Sequence, residues 1–279
     1  MWQGVAQWST KTVTALFGMK LIGVACLVFL VTIKAQAQGG MELGIRGGGT
    51  FTHGYTVIPA QTLSPGLELP RIRNANNGIG IGYFGSLWAR KHYDRFFLQA
   101  EISYSSLVLK QKAPIDRIDV AAAKEFGVNL PNIRPGTLYA RLNTTTEPTL
   151  TSLNIPLFVG KQGHEGKWRV YGGPTFLFTI KAEAARTASG QVEASASLPS
   201  FPISQISDQV DLTNPDQAGI LQVKTFNFGA EFGAGVTLLK RLEVDVRYGL
   251  PVGGVFNDSG ITGFIGYATL TLGYKLAHF

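Results

Sequence analysis

Cysteine is almost missing from this 279-residue chain: Cys26 stands alone. It lies inside an apolar N-terminal run, so a chain that loses that run has no thiol. Disulfides and thiolate metal sites are then excluded. Charged residues are scarce as well, at 15%. Beyond position 40 no apolar run approaches the roughly 20 residues that a helix needs to cross a bilayer. The one remaining way through a membrane is a closed barrel, which pairs every backbone group internally. A phosphate cradle is missing too, because Gly47-Gly48-Gly49 closes a strand pattern and no helix pattern follows it. Without a Cys/His ligand pattern, no metal and no cofactor is expected.

What is present begins with an export signal. Met19-Lys20 precedes the apolar run Leu21–Ile33, and Ala35-Gln36-Ala37 follows. A charged start, an apolar core and an A-x-A site mark a cleavable signal peptide, so residues 1–37 are read as signal and 38–279 as the mature domain. Met19 suits the start of such a signal better than Met1. An uncleaved anchor helix is the alternative, but the run is short for one. Cys26 sits within the apolar core and not beside the cleavage site, which disfavours a lipid-anchored N-terminus. Loss of Lys11, Lys20 and Lys34 lowers the formal charge from +7 to +4. That is too mild to point to nucleic acid.

Period-2 alternation dominates the rest. Over about 223–239, Phe226, Phe228, Phe232, Val236 and Leu238 share one face, opposite Thr225, Asn227, Glu231 and Thr237. Over about 241–250, Leu242, Val244, Val246 and Tyr248 alternate with Glu243, Asp245 and Arg247. Similar strands are predicted at about 94–110, 149–160 and 167–181, with Gly-rich ones at 41–52 and 78–90 and a last one from 263. The prediction is an all-β, antiparallel transmembrane barrel of about eight strands. Short connections near 91–93, 162–166 and 239–240 alternate with long ones at 53–77, 111–147, 182–222 and 251–262. Tight periplasmic turns and long extracellular loops have this asymmetry. A short helix capped by Asp119 is expected within 119–128, and Pro156 in mid-strand suggests a bulge.

Alternation alone leaves open which face meets lipid. A soluble lipocalin-like barrel would turn its apolar face inward and a charged face to water. Here the polar face is mostly Gly, Ser, Thr and Asn, which suits a narrow packed lumen better than a solvated exterior. Phe226, Phe228, Phe232, Val244 and Val246 are thus assigned to the lipid face. Glu101, Arg169, Glu231, Glu243, Asp245 and Arg247 are assigned to a lumen charge network, where buried ion pairs would hold register. An ion or proton path is the competing reading of those charges.

The run Leu153-Asn154-Ile155-Pro156-Leu157, followed by Tyr171-Gly172-Gly173-Pro174, resembles the middle strands of the Bacteroidota outer-membrane barrels grouped as the PorT family. The resemblance extends in layout over nearly all of the mature chain. It implies an outer-membrane barrel and, through the namesake of the family, a link to type IX secretion. Expected partners are outer-membrane lipid, the barrel-assembly machinery and an envelope protein met through the extracellular loops.

Three functions remain in view: a structural or interaction barrel, which is favoured, a narrow transport barrel, and a membrane enzyme. An eight-stranded barrel is filled by its own side chains, which disfavours transport. An enzyme would need a histidine beside a serine or carboxylate. His92 and His164 fall at short turns and His278 at the C-terminus. Only His53 is expected on the outer side, at the start of a long loop, and a lone loop histidine is a weak base candidate.

Overall fold

Alternating residues can hide a polar row on one side only if the sheet curls and closes. The computed structural model describes residues 40–94, 96–123, 138–163, 166–193 and 200–279. The expected signal segment and its cleavage point lie outside the described residues, as does His164. Glu42–Ala277 form one unit. Met41, His278 and Phe279 belong to a second, in which the Met41 amide donates to the Phe279 carbonyl at 3.1 Å and the Phe279 amide to the Met41 carbonyl at 2.8 Å.

In chain order the strands are β1 (Met41–Ile58), β2 (Gln61–Ser64), β3 (Leu67–Leu69), β4 (Ile72–Asn76), β5 (Gly80–Tyr93), β6 (Phe96–Val108) and β7 (Gln111–Asp119). After the turn of helix α1 (Val120–Ala123) come β8 (Tyr139–Gln162), β9 (Trp168–Glu193) and β10 (Phe201–Asp211). Helix α2 (Pro215–Ala218) and a 3-10 turn at Gly219–Leu221 lead to β11 (Phe226–Leu238), β12 (Leu242–Val252) and β13 (Thr262–His278). That is thirteen strands among the described residues, more than the eight or so expected. The closed circuit of pairings, β1-β5-β6-β8-β9-β11-β12-β13 and back to β1, nevertheless runs through eight. Each of the eight contains or overlaps a strand predicted from alternation.

The long connections differ most from expectation. Among the described residues, three of the four contain strands that continue the sheet beyond the circuit. There β4 pairs with β1 at Thr56–Ile58, β7 links β4 to β8, and β8 and β9 pair on to Tyr139 and Glu193 with β10 added beside β9. Backbone groups leaving the membrane still need partners, and neighbouring strands supply them. We call this region the extension. Most of 251–262 remains irregular.

On β9 a single extra residue separates the two regions. Thr151 faces Lys181 while Ser152 faces Thr179, so Ile180 is a bulge. Below it odd-numbered residues of β9 point inward (Arg169, Tyr171, Thr175, Leu177). Above it even-numbered ones do (Ala182, Ala184, Ala188, Val192). The bulge expected at Pro156 does not occur. The β6–β8 ladder skips the rungs facing Ile155 and Pro156 but resumes in the same register, Ala100 with Leu157 and Ser103 with Asn154. A proline removes one donor, and the flanking rungs keep the strands aligned.

At the other end the reversals are tight. The β5–β6 turn sits at Asp94 (φ 52°), just past the predicted 91–93, and the β11–β12 turn places Leu239 and Lys240 at φ 49° and 63°. Helix α1 starts where predicted, with the Ala121 amide donating to Asp119 Oδ1 at 2.8 Å. The remainder of 119–128 lies outside the described residues from 124 onward.

Candidate functional site

The polar row of each circuit strand converges on the lumen, and there the six charges assigned from sequence are all buried. Three carboxylates organise them. Glu243 accepts from Arg90 through both oxygens at 2.8 and 3.2 Å and from Arg46 at 3.1 Å, and lies 3.0 Å from Arg169. Asp245 is held by Arg169 at 3.2 and 2.6 Å and by the Tyr171 hydroxyl at 2.8 Å. Glu101 receives both terminal nitrogens of Arg247 at 2.9 and 2.6 Å and one from Arg46 at 2.7 Å. Glu231 sits apart and accepts from the Thr175 and Tyr267 hydroxyls, each at 2.9 Å. Its nearest cation, Arg247, is 4.0 Å away.

Sequence reading missed four members of this cluster: Glu42, Arg46, Arg90 and Lys275. Glu42 bonds Arg90 at 3.1 Å and Lys275 at 2.7 Å. The signal that could have found them is parity. Glu42 and Arg46 alternate with Ile45 and Phe51 in β1, and Arg90 falls on the Ser86/Trp88 face of β5. With them the ledger of charge closes. Among the described residues of the lumen, Arg46, Arg90, Arg169, Arg247 and Lys275 oppose Glu42, Glu101, Glu231, Glu243 and Asp245. By formal charge five cations face five carboxylates, with His92 3.0 Å from Glu42 beside them. Bidentate arginine forks fix the geometry of Arg90 on Glu243, Arg169 on Asp245 and Arg247 on Glu101. Small residues make the room: a Cβ on Gly235 would fall within 2.2 Å of Asp245 Oδ1.

Aromatic rings pack against the charges. Phe97, Phe158 and Tyr171 pack together, with Phe158 and Tyr171 centroids 5.0 Å apart. Gly160 faces Phe97 across the ladder, and a Cβ there would meet the Phe97 ring at 2.3 Å. Arg90 and Arg247 stack on Phe97 and Phe158 at 5.1 Å each.

The outward face is apolar. Phe226, Phe228, Phe232 and Val246 are exposed and Val244 is half-buried. Aromatic pairs ring this face toward the extension: Tyr83 with Tyr104 at 6.1 Å and Phe178 with Phe226 at 5.2 Å. Tyr93, Phe96 and Trp168 stand exposed near the tight turns. The ten steps from Trp168 to Phe178, at ~3.3 Å each and ~40° of tilt, span about 25 Å, the height of the apolar band of an outer-membrane barrel. His53 corrects its sequence assignment. It lies within β1 and not in a loop, on the outward face, with Nε2 3.0 Å from the Tyr248 hydroxyl and its ring 5.7 Å from Phe264. Its bonded partner is a phenol, neither a serine nor a carboxylate. Among the described residues no group of His, Cys, Asp and Glu could hold a metal ion.

In the extension the polarity inverts. Ile58, Ile72, Ile115, Ile118, Leu142, Ala188 and Val192 form an inward apolar cluster, and Ala182, Ala184, Val210, Leu212, Ala218 and Val223 a second. The turn into α2 is ordered by Asp211, whose Oδ1 accepts from the Thr213 hydroxyl at 2.6 Å and amide at 2.8 Å. Those bonds, the hydroxyl first, hold the Asp211 carboxyl below the usual carboxylate range. The 182–222 segment, expected as a long loop, thus carries an apolar row in which alanines alternate with a few larger residues.

Among solved structures, the chain is similar to Ail, the attachment invasion locus protein of Yersinia pestis, crystallised with the heparin analogue sucrose octasulfate. Identity is 10% over 86% of this chain and 100% of that one, with a TM-score of 0.32. Neisserial surface protein A is 9% identical over 86% and 100% (TM-score 0.28), and the Escherichia coli outer-membrane protease OmpT 10% over 86% and 98% (TM-score 0.25). Likenesses this distant carry no argument about activity. No curated protein matches the chain. The model of the family described as "Outer membrane protein beta-barrel domain" matches residues 35–257. The chain, a transmembrane barrel of the outer membrane, belongs to that outer membrane protein beta-barrel domain family.

Proposed function

We propose that this barrel conducts nothing and acts as a membrane-anchored platform, whose extension engages another envelope component outside the cell. One observation carries the reading. The lumen holds a buried ion-pair cluster packed against aromatic rings, while the extension is folded, with its own core. The long-strand end is assigned to the cell exterior because tight turns face the periplasm in such barrels. His53, bonded to Tyr248 on the outward face, supports a non-enzymatic role. Purified protein in a planar bilayer is expected to give no steady unit currents, and such currents would overturn the proposal.

The narrower assignment, to the PorT group with a role beside type IX secretion, belongs to the same proposal. It is supported by the Leu153–Leu157 run and the Tyr171–Pro174 run, which lie on β8 and β9 in the lumen-plugging half of the barrel. Insertion by the barrel-assembly machinery is part of it. Cross-linked pull-down from intact outer membrane is the test. Recovery of a secretion component, lost when β10 is excised, is expected. Recovery of no envelope protein would remove the interaction role.

A further inference from the structure

Where polar lumen gives way to apolar extension, the interior is not fully packed. A cavity of about 70 Å³ is lined by Leu107, Leu150, Leu177, Leu212, Val223 and Phe256. A second, of about 50 Å³, shares Gln111, Pro148, Leu212 and Phe256 with it, so Gln111 stands at their common wall. One water needs ~10–15 Å³ and two to four polar partners. The larger space holds several waters by volume but offers them few partners, which favours an apolar occupant.

Two buried polar side chains at this cavity carry an unpartnered atom: Gln111 at Nε2 and Thr52 at its hydroxyl. Both are at least nine-tenths buried, at 3% and 1% exposed. Gln111 is held through its amide oxygen. Asn74 Nδ2 donates to the Thr56 hydroxyl at 3.1 Å, and that hydroxyl donates to Gln111 Oε1 at 3.4 Å. The chain of donors ends on Nε2, which is left with hydrogens and no acceptor. A buried donor without a partner costs about 1–3 kcal/mol, which a ligand acceptor would recover. The cation at the wall, Lys224, is already engaged, donating to the Gly253 carbonyl at 2.7 Å and the Gly254 carbonyl at 3.5 Å. The lining is otherwise almost wholly apolar, and burying a charged ligand there would cost far more than burying a neutral one.

We propose that this cavity is a binding site for a small, uncharged, mainly apolar molecule carrying one hydrogen-bond acceptor, which Gln111 Nε2 would meet. The inference goes beyond the platform role and stands without it, since a sealed barrel below and a ligand chamber above are independent features.

The test uses the full mature protein folded in detergent, with fluorine NMR of two ligands, 4-fluoroacetophenone and fluorobenzene. Only the first has a carbonyl acceptor. Saturable binding of 4-fluoroacetophenone, absent from detergent alone, is expected, with fluorobenzene weaker. Ala182→Phe, which fills the cavity, should abolish both. Gln111→Leu should weaken 4-fluoroacetophenone roughly 5- to 10-fold, the worth of one neutral hydrogen bond, and leave fluorobenzene unchanged. Folding of each variant is read from its heat-dependent gel mobility. If Ala182→Phe fails that check, Gln111→Leu decides alone. No saturable binding, binding that survives Ala182→Phe in a folded barrel, or equal weakening of both ligands by Gln111→Leu would overturn the proposal.

Discussion

The circuit and the extension are built on shared strands with opposite polarity. In the circuit, Glu101, Arg169 and Glu243 point inward while Phe228, Phe232 and Val246 point outward. In the extension, Leu142, Ala188 and Val192 point inward, while Arg141 and Glu193 on the outer side pair at 3.1 Å with both side chains largely in solvent. Each region hides whatever its surroundings reject. Lipid accepts apolar side chains and forces charge into the lumen; water does the reverse. On β9 the change takes one residue, the bulge at Ile180, because a one-residue shift moves every later side chain to the other face.

The comparison should break most visibly at its charges. Glu243→Ala strands Arg46, Arg90 and Arg169 around a missing carboxylate, and unpairing a buried charge costs about 3–5 kcal/mol. Asp208→Asn in the extension removes a partly exposed partner 3.4 Å from Arg186, which is worth less than about 1 kcal/mol. Urea unfolding in detergent, followed by heat-dependent gel mobility, should separate the two. Equal costs would mean that the lumen is wet.

The extension core should behave like that of a water-soluble protein. Leu142→Ala, at a fully buried site, should cost about 2–5 kcal/mol and make the extension sensitive to protease on intact cells while the circuit still resists. Loss of the whole barrel instead would show that the two regions fold as one.

On the outer face the same substitution should have opposite consequences in the two regions. Phe232→Arg sits midway along β11 and should cost about 2–4 kcal/mol and block membrane assembly. Ser189→Arg, exposed on β9 beyond the bulge, should change stability by less than about 0.5 kcal/mol. Similar tolerance at both would place the membrane boundary wrongly.

The smallest effect expected is a gain. Lys240 holds a left-handed φ of 63°, which costs an L-residue about 1 kcal/mol. Lys240→Gly should recover a few tenths of that or more, read as a rise in urea midpoint, without altering the extension.

Much of this architecture could be read from residues. All eight circuit strands were visible as alternation, since a side-chain period of two survives in any sequence with one apolar face. Glu101, Arg169, Glu231, Glu243, Asp245 and Arg247 fell on the polar row for the same reason. Arg46 was overlooked because it borders Gly47-Gly48-Gly49, where the alternation has little amplitude, and Arg90 because Ala89 and Lys91 flank it with no large apolar side chain. The extension strands were read as loops because their inward residues, Ala182, Ala184 and Ala188, are too small to register as an apolar face. An alanine row becomes a core only when Ile115, Leu142 and Leu212 are brought up against it.

Residue pattern alone is enough to say that this chain makes antiparallel strands, closes them with tight turns at one end, and keeps charge off one face. Those properties are local, set by side-chain period and turn chemistry within a few residues. Which arginine meets which carboxylate, where β9 slips by one residue, and that a cavity lies between two kinds of interior were decided by tertiary structure alone. Such contacts join residues as far apart as Arg46 and Glu243, and no local pattern encodes a distance across a closed sheet.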